Sequence, residues 1–155
     1  MIQDYLYLKE KNIKEVLELI LESYVMTSFD TDLVLKRNNF GRAHQRLIIL
    51  IDNNPGITVS EILEKLKITK QSLSRTLQDL IKKNIVDQKK GEEDGREKLL
   101  FLGSKGSELS KELFETQKKR ILHAFKNSSP EDVLSFKNVL IKIIKSVSYT
   151  HLRAH

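Results

Sequence analysis

The chain contains no cysteine. That absence excludes a disulfide framework, a thiol nucleophile, a thiolate metal site and a cysteine redox switch. Long apolar runs are missing as well. The longest is Leu47-Ile48-Ile49-Leu50-Ile51, far short of the roughly 18 residues a bilayer span requires. The opening Met1-Ile2-Gln3-Asp4 has no basic segment of the kind that begins a secretory leader. A soluble, cytoplasmic protein with no membrane partner is therefore expected. No glycine-rich phosphate loop, nucleophile elbow or paired catalytic carboxylates occur, so an enzymatic reading has no support and no cofactor is expected. His44 and His123 lie far apart and lack ligand spacing; each is expected to serve at the surface or in packing, and no metal is expected.

What is present is one domain's worth of chain. The 155 residues are 39% hydrophobic and 31% charged, enough to bury a single core. The 27 Lys and Arg residues exceed the 21 Asp and Glu by six, a surplus that favours a polyanionic partner but suits plain solubility equally. The last nine residues, Val147-Ser148-Tyr149-Thr150-His151-Leu152-Arg153-Ala154-His155, resemble the translation of a transposase adapter used in sequencing libraries. They are read as a non-native tail and set aside, and His151 and His155 with them.

Along residues 12–26, Ile13, Val16, Leu17, Ile20, Leu21, Tyr24 and Val25 recur at spacings of three and four, which predicts an amphipathic helix. Residues 27–39 mix polar and apolar side chains and read as a connection or irregular helix before a second helix over 41–52. Asn53-Asn54-Pro55-Gly56 is a stop and turn. Thr58 and Glu61 then form a capping box for a short helix whose apolar stripe is Val59, Ile62, Leu63 and Leu66. Thr69 caps the next, with Leu73, Leu77, Leu80 and Ile81 facing the core and Lys83-Asn84 ending it. Two short helices meeting across three residues have the form of a helix-turn-helix.

Two strand-like segments, 85–90 and 97–102, flank a charged glycine-bearing stretch that includes Asp94-Gly95, the signal of a β-hairpin. A hairpin directly after a helix-turn-helix is the wing of a winged helix. Ser104 or Ser107 can cap a further helix reaching about Phe125. Ser129-Pro130-Glu131-Asp132 opens the last one, with an N-cap, proline at N1 and two acids in the first turn. The expected fold class is thus mainly α with a small β-hairpin wing: a winged helix-turn-helix with helices on either side. The expected division is 1–40 for the first helix and its connection, 41–103 for the winged helix-turn-helix, 104–146 for the last helices, and 147–155 for the tail.

Charge is distributed unevenly. Residues 65–91 hold eight basic side chains and two acidic ones, a net +6, so the rest of the chain balances. Without the tail and its Arg153, everything outside that stretch is at −1. The helix capped by Thr69 exposes Lys70, Gln71, Ser74, Arg75 and Gln78, a face of donors and amides without a carboxylate. Arginine and glutamine can bond base edges in the major groove, and Lys70 and Ser72 suit phosphates, as do amides at a helix N-terminus. The candidate DNA-binding residues are Thr69, Lys70, Gln71, Ser72, Ser74, Arg75, Gln78, Lys89, Asp94 and Arg96, with Gln71 and Arg75 the first choices for reading bases.

Residues 54–106 resemble the DNA-binding core of the MarR family, the multiple-antibiotic-resistance type of winged-helix transcriptional regulators. The family pattern of Asp, any residue, Arg, five residues, Leu, Thr, two residues and Gly stands here as Asp94-Gly95-Arg96, Leu102, Gly103 and Gly106, departing only where Gly103 replaces Thr. The resemblance implies that Arg96 enters the minor groove while Asp94 holds the wing, a role that suits arginine in a narrow, negative groove. A second departure, Phe40-Gly41-Arg42-Ala43-His44-Gln45-Arg46, unsettles any inference about an effector pocket.

The first helix and the last two carry more apolar surface than the winged helix can cover, and family members use these elements for a two-fold dimer. The partners implied are a second copy of the chain, double-stranded DNA with a pseudo-palindromic operator, and an anionic or phenolic effector that releases it. Half-sites in such an operator lie about 34–36 Å apart. The alternative is a winged helix that serves as a protein-interaction module without specific DNA binding.

Overall fold

A computed structural model describes residues 5–146. The tail at 147–155 lies outside them. The chain divides into two compact units after Gln117. The elements run α1 (Glu10–Phe29), α2 (Asp32–Arg37), α3 (Arg42–Asn53), β1 (Ile57–Thr58), α4 (Val59–Leu66), α5 (Lys70–Lys82), β2 (Val86–Lys90), β3 (Lys98–Leu102), α6 (Ser104–Lys126) and α7 (Pro130–Lys145), preceded by a short 3-10 turn at Leu6–Leu8. The architecture is the expected one, mainly helical with a small antiparallel sheet.

The expectation for 27–39 needs correcting. Helix α1 continues to Phe29, and a separate helix, α2, follows. The polar residues do not break α1, because Ser23 and Thr27 return their hydroxyl protons to carbonyls four residues back. Thr31 joins the two helices to α3. Fully buried, it has its hydroxyl 2.8 Å from the Ser28 carbonyl and 3.0 Å from Gln45 Oε1, while Arg42 approaches it and pairs with Asp32.

The capping box of α4 forms as the sequence implies: Glu61 N–H donates to Thr58 Oγ1 at 3.2 Å and Thr58 N–H to Glu61 Oε2 at 2.9 Å. Immediately before it, Ile57 and Thr58 pair antiparallel with Leu100 and Leu99, so the sheet has three strands in the order β1-β3-β2. This two-residue strand is too short to show an alternation in the sequence. Gly56, at φ 86°, makes the turn into it and donates its N–H to the Leu100 carbonyl at 2.8 Å. Helix α5 ends where Lys83-Asn84 suggests. Asn84 is left-handed at φ 60°, Ile85 N–H reaches the Leu80 carbonyl and Asn84 N–H that of Ile81, the two bonds of a Schellman motif.

Neither Ser104 nor Ser107 stands at the N-cap of α6. Gly103 does, its carbonyl accepting the Ser107 N–H at 2.9 Å. Three residues on, a Cβ at Gly106 would lie 2.1 Å from the Ile85 carbonyl oxygen, so only glycine lets α6 start against the end of α5. In the second unit, Ser129 caps α7 through Asp132 N–H at 3.1 Å, and Phe125 meets Phe136 edge to face at 6.4 Å.

The core is confined to the middle of the chain. Leu47, Ile48, Ile51, Ile62, Leu73, Leu80, Ile85, Leu100 and Leu113 are all but completely buried, drawing α3, α4, α5, the sheet and α6 around one centre.

Candidate nucleic-acid interface

Helix α4 ends on Lys67 in the left-handed conformation (φ 54°), and Ile68 turns the chain inward to the core. Thr69 then starts α5, its Oγ1 accepting the Ser72 N–H at 3.2 Å. The positive end of the α5 dipole, with the amides of Lys70 and Gln71, lies among exposed residues, an arrangement suited to a phosphate. Burial of Leu73, Leu77 and Leu80 sets the helix's rotation. With those three inward, Lys70, Gln71, Ser72, Ser74, Arg75 and Gln78 are all exposed. Seven of the ten candidates, counting Thr69, thus lie on one helix and its cap. Thr76 differs: it is half-buried and its hydroxyl donates to the Ser72 carbonyl.

The remaining three candidates lie on the wing. Strands β2 and β3 pair from Val86↔Leu102 to Lys90↔Lys98. At the tip, Gly91 N–H donates to the Glu97 carbonyl at 2.8 Å and Glu97 N–H to the Asp94 carbonyl at 3.0 Å. Asp94 Oδ1 accepts the Arg96 N–H at 3.0 Å, a side-chain turn that determines where the arginine leaves the loop. Gly91 is required here, since a Cβ would come within 2.8 Å of the Asp94 carbonyl. Lys89 lies over the Phe101 ring, 4.9 Å from its centroid.

Two features escaped sequence reasoning. The first is the wing tip's charge: beyond Gly91 come Glu92, Glu93, Asp94, Arg96 and Glu97, four acids to one base, so the positive surface belongs to α5 and the strand β2 rather than to the tip. That signal is local and lies in residues 92–97 of the sequence itself.

The second is His44. Its ring stacks on Phe40 at 4.8 Å, Nδ1 accepts the Gly41 N–H at 3.0 Å, and Nε2 lies 2.7 Å from Asp79 Oδ2 on α5. Lys83 Nζ is 3.5 Å from the same oxygen and 4.7 Å from the Phe40 ring centroid. Burial acts to raise the Asp79 pKa, but the hydrogen bond from His44 and the charge of Lys83 outweigh it and hold the carboxyl below its ordinary value. Packing is thus part of what His44 does, but its partner is 35 residues away and invisible to spacing rules. On the other side of α3, Arg46 donates to the Tyr24 hydroxyl at 2.7 Å, and that hydrogen bond, against the opposing effect of burial, lowers the phenol's pKa.

Among the described residues no group of three or more His, Asp and Glu side chains is gathered to hold a metal ion. No described helix is long and apolar enough to cross a membrane.

A family model described as "MarR family" matches residues 39–97, which span the second half of the α2–α3 corner through the wing tip. The HTH-type transcriptional regulator PetP of Rhodobacter capsulatus is 36% identical over 135 residues, covering 87% of this chain and 81% of PetP. The chain belongs to the MarR family. It is a MarR-family transcription regulator, and such regulators are DNA-binding proteins rather than enzymes. Solved MarR-type structures share its fold. FabT of Streptococcus pneumoniae, solved in complex with DNA, superposes with a TM-score of 0.69 at 20% identity over 87% of this chain and 94% of FabT. NadR, solved with 4-hydroxyphenylacetate, gives 0.74 at 22% identity over 83% of this chain and 91% of NadR. These likenesses establish the winged-helix fold of this MarR-family chain.

Proposed function

We propose that this MarR-family regulator is a homodimeric repressor that holds a pseudo-palindromic operator through α5 and the wing and releases it when a small anionic or phenolic molecule binds. Residues 41–103 bind DNA, and 1–40 with 104–146 assemble the dimer. The observation that carries the DNA-binding part is the acid-free exposed face of α5, with Gln71, Arg75 and Gln78 in line and Thr69, Lys70 and Ser72 at the helix start. In this reading Arg75 and Gln71 contact bases, Lys70, Ser72 and Ser74 contact phosphates or base edges, and Lys89 adds charge along the strand. Arg96, directed by Asp94, enters the minor groove. A dimer presents two such helices to half-sites about one helical turn apart.

For the effector, the supporting features are an open groove of about 390 Å³ lined by Asp32, Leu35, Lys36, Phe40, Gly41 and Arg42, in which Lys36 can meet a carboxylate while Arg42 is paired with Asp32, and the aromatic acid that NadR binds. An effector acts only by favouring one spacing of the recognition helices over another.

The deciding experiment is a salt-dependent mobility-shift assay on the DNA upstream of the gene. Arg75→Ala is expected to weaken binding by about 1–3 kcal/mol and relax sequence preference. Arg96→Ala is expected to weaken it as well. Binding unchanged in both variants overturns the reading and favours a protein-interaction module instead.

A further inference from the structure

Helix α5 carries a single acidic residue, Asp79, and it sits four residues beyond Arg75. At that spacing two side chains share a helix face and an arginine–aspartate pair can form, though less favourably than with the acid first. Such a pair would draw the guanidinium away from DNA and add a carboxylate beside it. Yet no ion pair of Arg75 is present among the described residues. Asp79 meets instead His44 Nε2, on α3, at 2.7 Å and Lys83 Nζ, at the end of its own helix, at 3.5 Å.

The imidazole is oriented for this contact from behind. Gly41, at the start of α3, has no side chain to cap the helix, and its own N–H donates to His44 Nδ1 at 3.0 Å. With Nδ1 accepting, the ring's proton is on Nε2, aimed at the carboxylate. Phe40 and its stacking contact fix the ring plane, and Phe40 also lies beneath Lys83. One hydrogen bond and one stacking contact therefore hold one histidine so that it can hold one aspartate.

We propose that His44 is a positioning residue for DNA recognition: by engaging Asp79 it keeps the only carboxylate of the recognition helix from pairing with Arg75. The inference rests on the reading that Arg75 contacts DNA. It assigns the Phe40–Arg46 segment a task in binding.

Two substitutions separate the two bonds of the ring. Asparagine places an acceptor near the position of Nδ1 but cannot reach Asp79, whereas glutamine extends a donor toward the position of Nε2 and is itself a favourable residue three positions into a helix. The probe is a duplex of about 30 base pairs cut from a genomic fragment that the wild-type protein selects, with an unrelated duplex of equal length beside it. His44→Asn is expected to weaken operator binding about two- to threefold, the most that an exposed arginine–aspartate pair four residues apart can withhold. Binding to the unrelated duplex should change little, and His44→Gln should stay near wild type.

The decisive readout is rescue. Adding Asp79→Asn to His44→Asn removes the charge that captures Arg75, so operator binding should return, which no loss of packing would allow. Operator binding unchanged in His44→Asn, or weakened and not restored by Asp79→Asn, overturns the proposal. If thermal unfolding shows His44→Asn to be poorly folded, His44→Leu, which keeps an apolar contact with Phe40 but has no donor for Asp79, takes its place, and the same loss with the same rescue is required. The wild type's failure to select any fragment, or an Arg75→Ala variant that binds the operator normally, instead overturns the DNA-face reading.

Discussion

Every buried hydrophobic side chain among the described residues falls between Val34 and Leu113, whereas α7 has no buried residue and α1 buries only Ser28. The flanking helices are not polar by compensation. Leu17 and Leu21 on α1 are about 60% exposed, and Leu134 and Ile144 on α7 are 64% and 80% exposed. A helix that is apolar over much of its circumference is ordinarily buried, and single-chain proteins seldom expose apolar patches of this extent. The middle of the chain is self-sufficient, while its flanks have the composition of an interior and the exposure of a surface. That contrast is the physical case for a second copy covering α1 and α7, since a two-fold interface lets identical apolar faces cover one another.

The contrast can be broken most forcefully from the middle. Leu80 is completely buried on α5, and Leu80→Ala should cost about 2–5 kcal/mol in denaturant unfolding. A loss under about 1 kcal/mol would mean that the core is not where stability resides. On the flank, Ile20→Glu is expected to leave the middle folded by circular dichroism but to convert a dimer to a monomer in sedimentation equilibrium. The melting temperature of the wild type should rise with protein concentration and that of the variant should not. A wild type that sediments as a monomer removes the case for a second copy.

The smallest effects sharpen the comparison, because two caps of the same kind lie on opposite sides of it. Thr58 caps α4 within the core region and Ser129 caps α7 outside it. Each alanine variant should lose about 1 kcal/mol. The Thr58→Ala loss should be the same at any protein concentration, while the Ser129→Ala loss should also reduce self-association if α7 serves in the proposed dimer. Equal concentration dependence in both variants would erase the distinction.

Much of the winged helix was legible because its signals are local. The Thr58–Glu61 box, the Thr69 cap, the Asn84 stop and the Asp94-Gly95 turn each act within a few residues, and each appears where the sequence implies. Illegibility had two causes. Helix α2 and strand β1 are six and two residues long, too brief for periodicity, and are held by contacts to Gln45 and Leu100 that lie far along the chain. The start of α6 was misassigned because a serine hydroxyl looks like a cap, while the close approach to Ile85 requires Gly106 and aligns the helix from Gly103. The candidate face on α5 was readable from a three-to-four spacing of leucines, whereas the task proposed for His44 was not, since neither Asp79 nor Phe40 announces a histidine partner.

With no cysteine and no catalytic constellation, the sequence alone pointed to binding rather than chemistry, and its hydrophobic spacing determined which side of α5 would face outward. Periodicity and caps suffice for that, because they depend on neighbours one turn away. Tertiary structure alone decided which polar groups meet: Thr31 with Gln45, Ser110 with Asp52 at 2.8 Å, and His44 with Asp79. Those pairs are chosen by how whole helices pack, and a hydrogen bond a few ångströms long carries no trace of itself in residues 14, 58 or 35 positions apart.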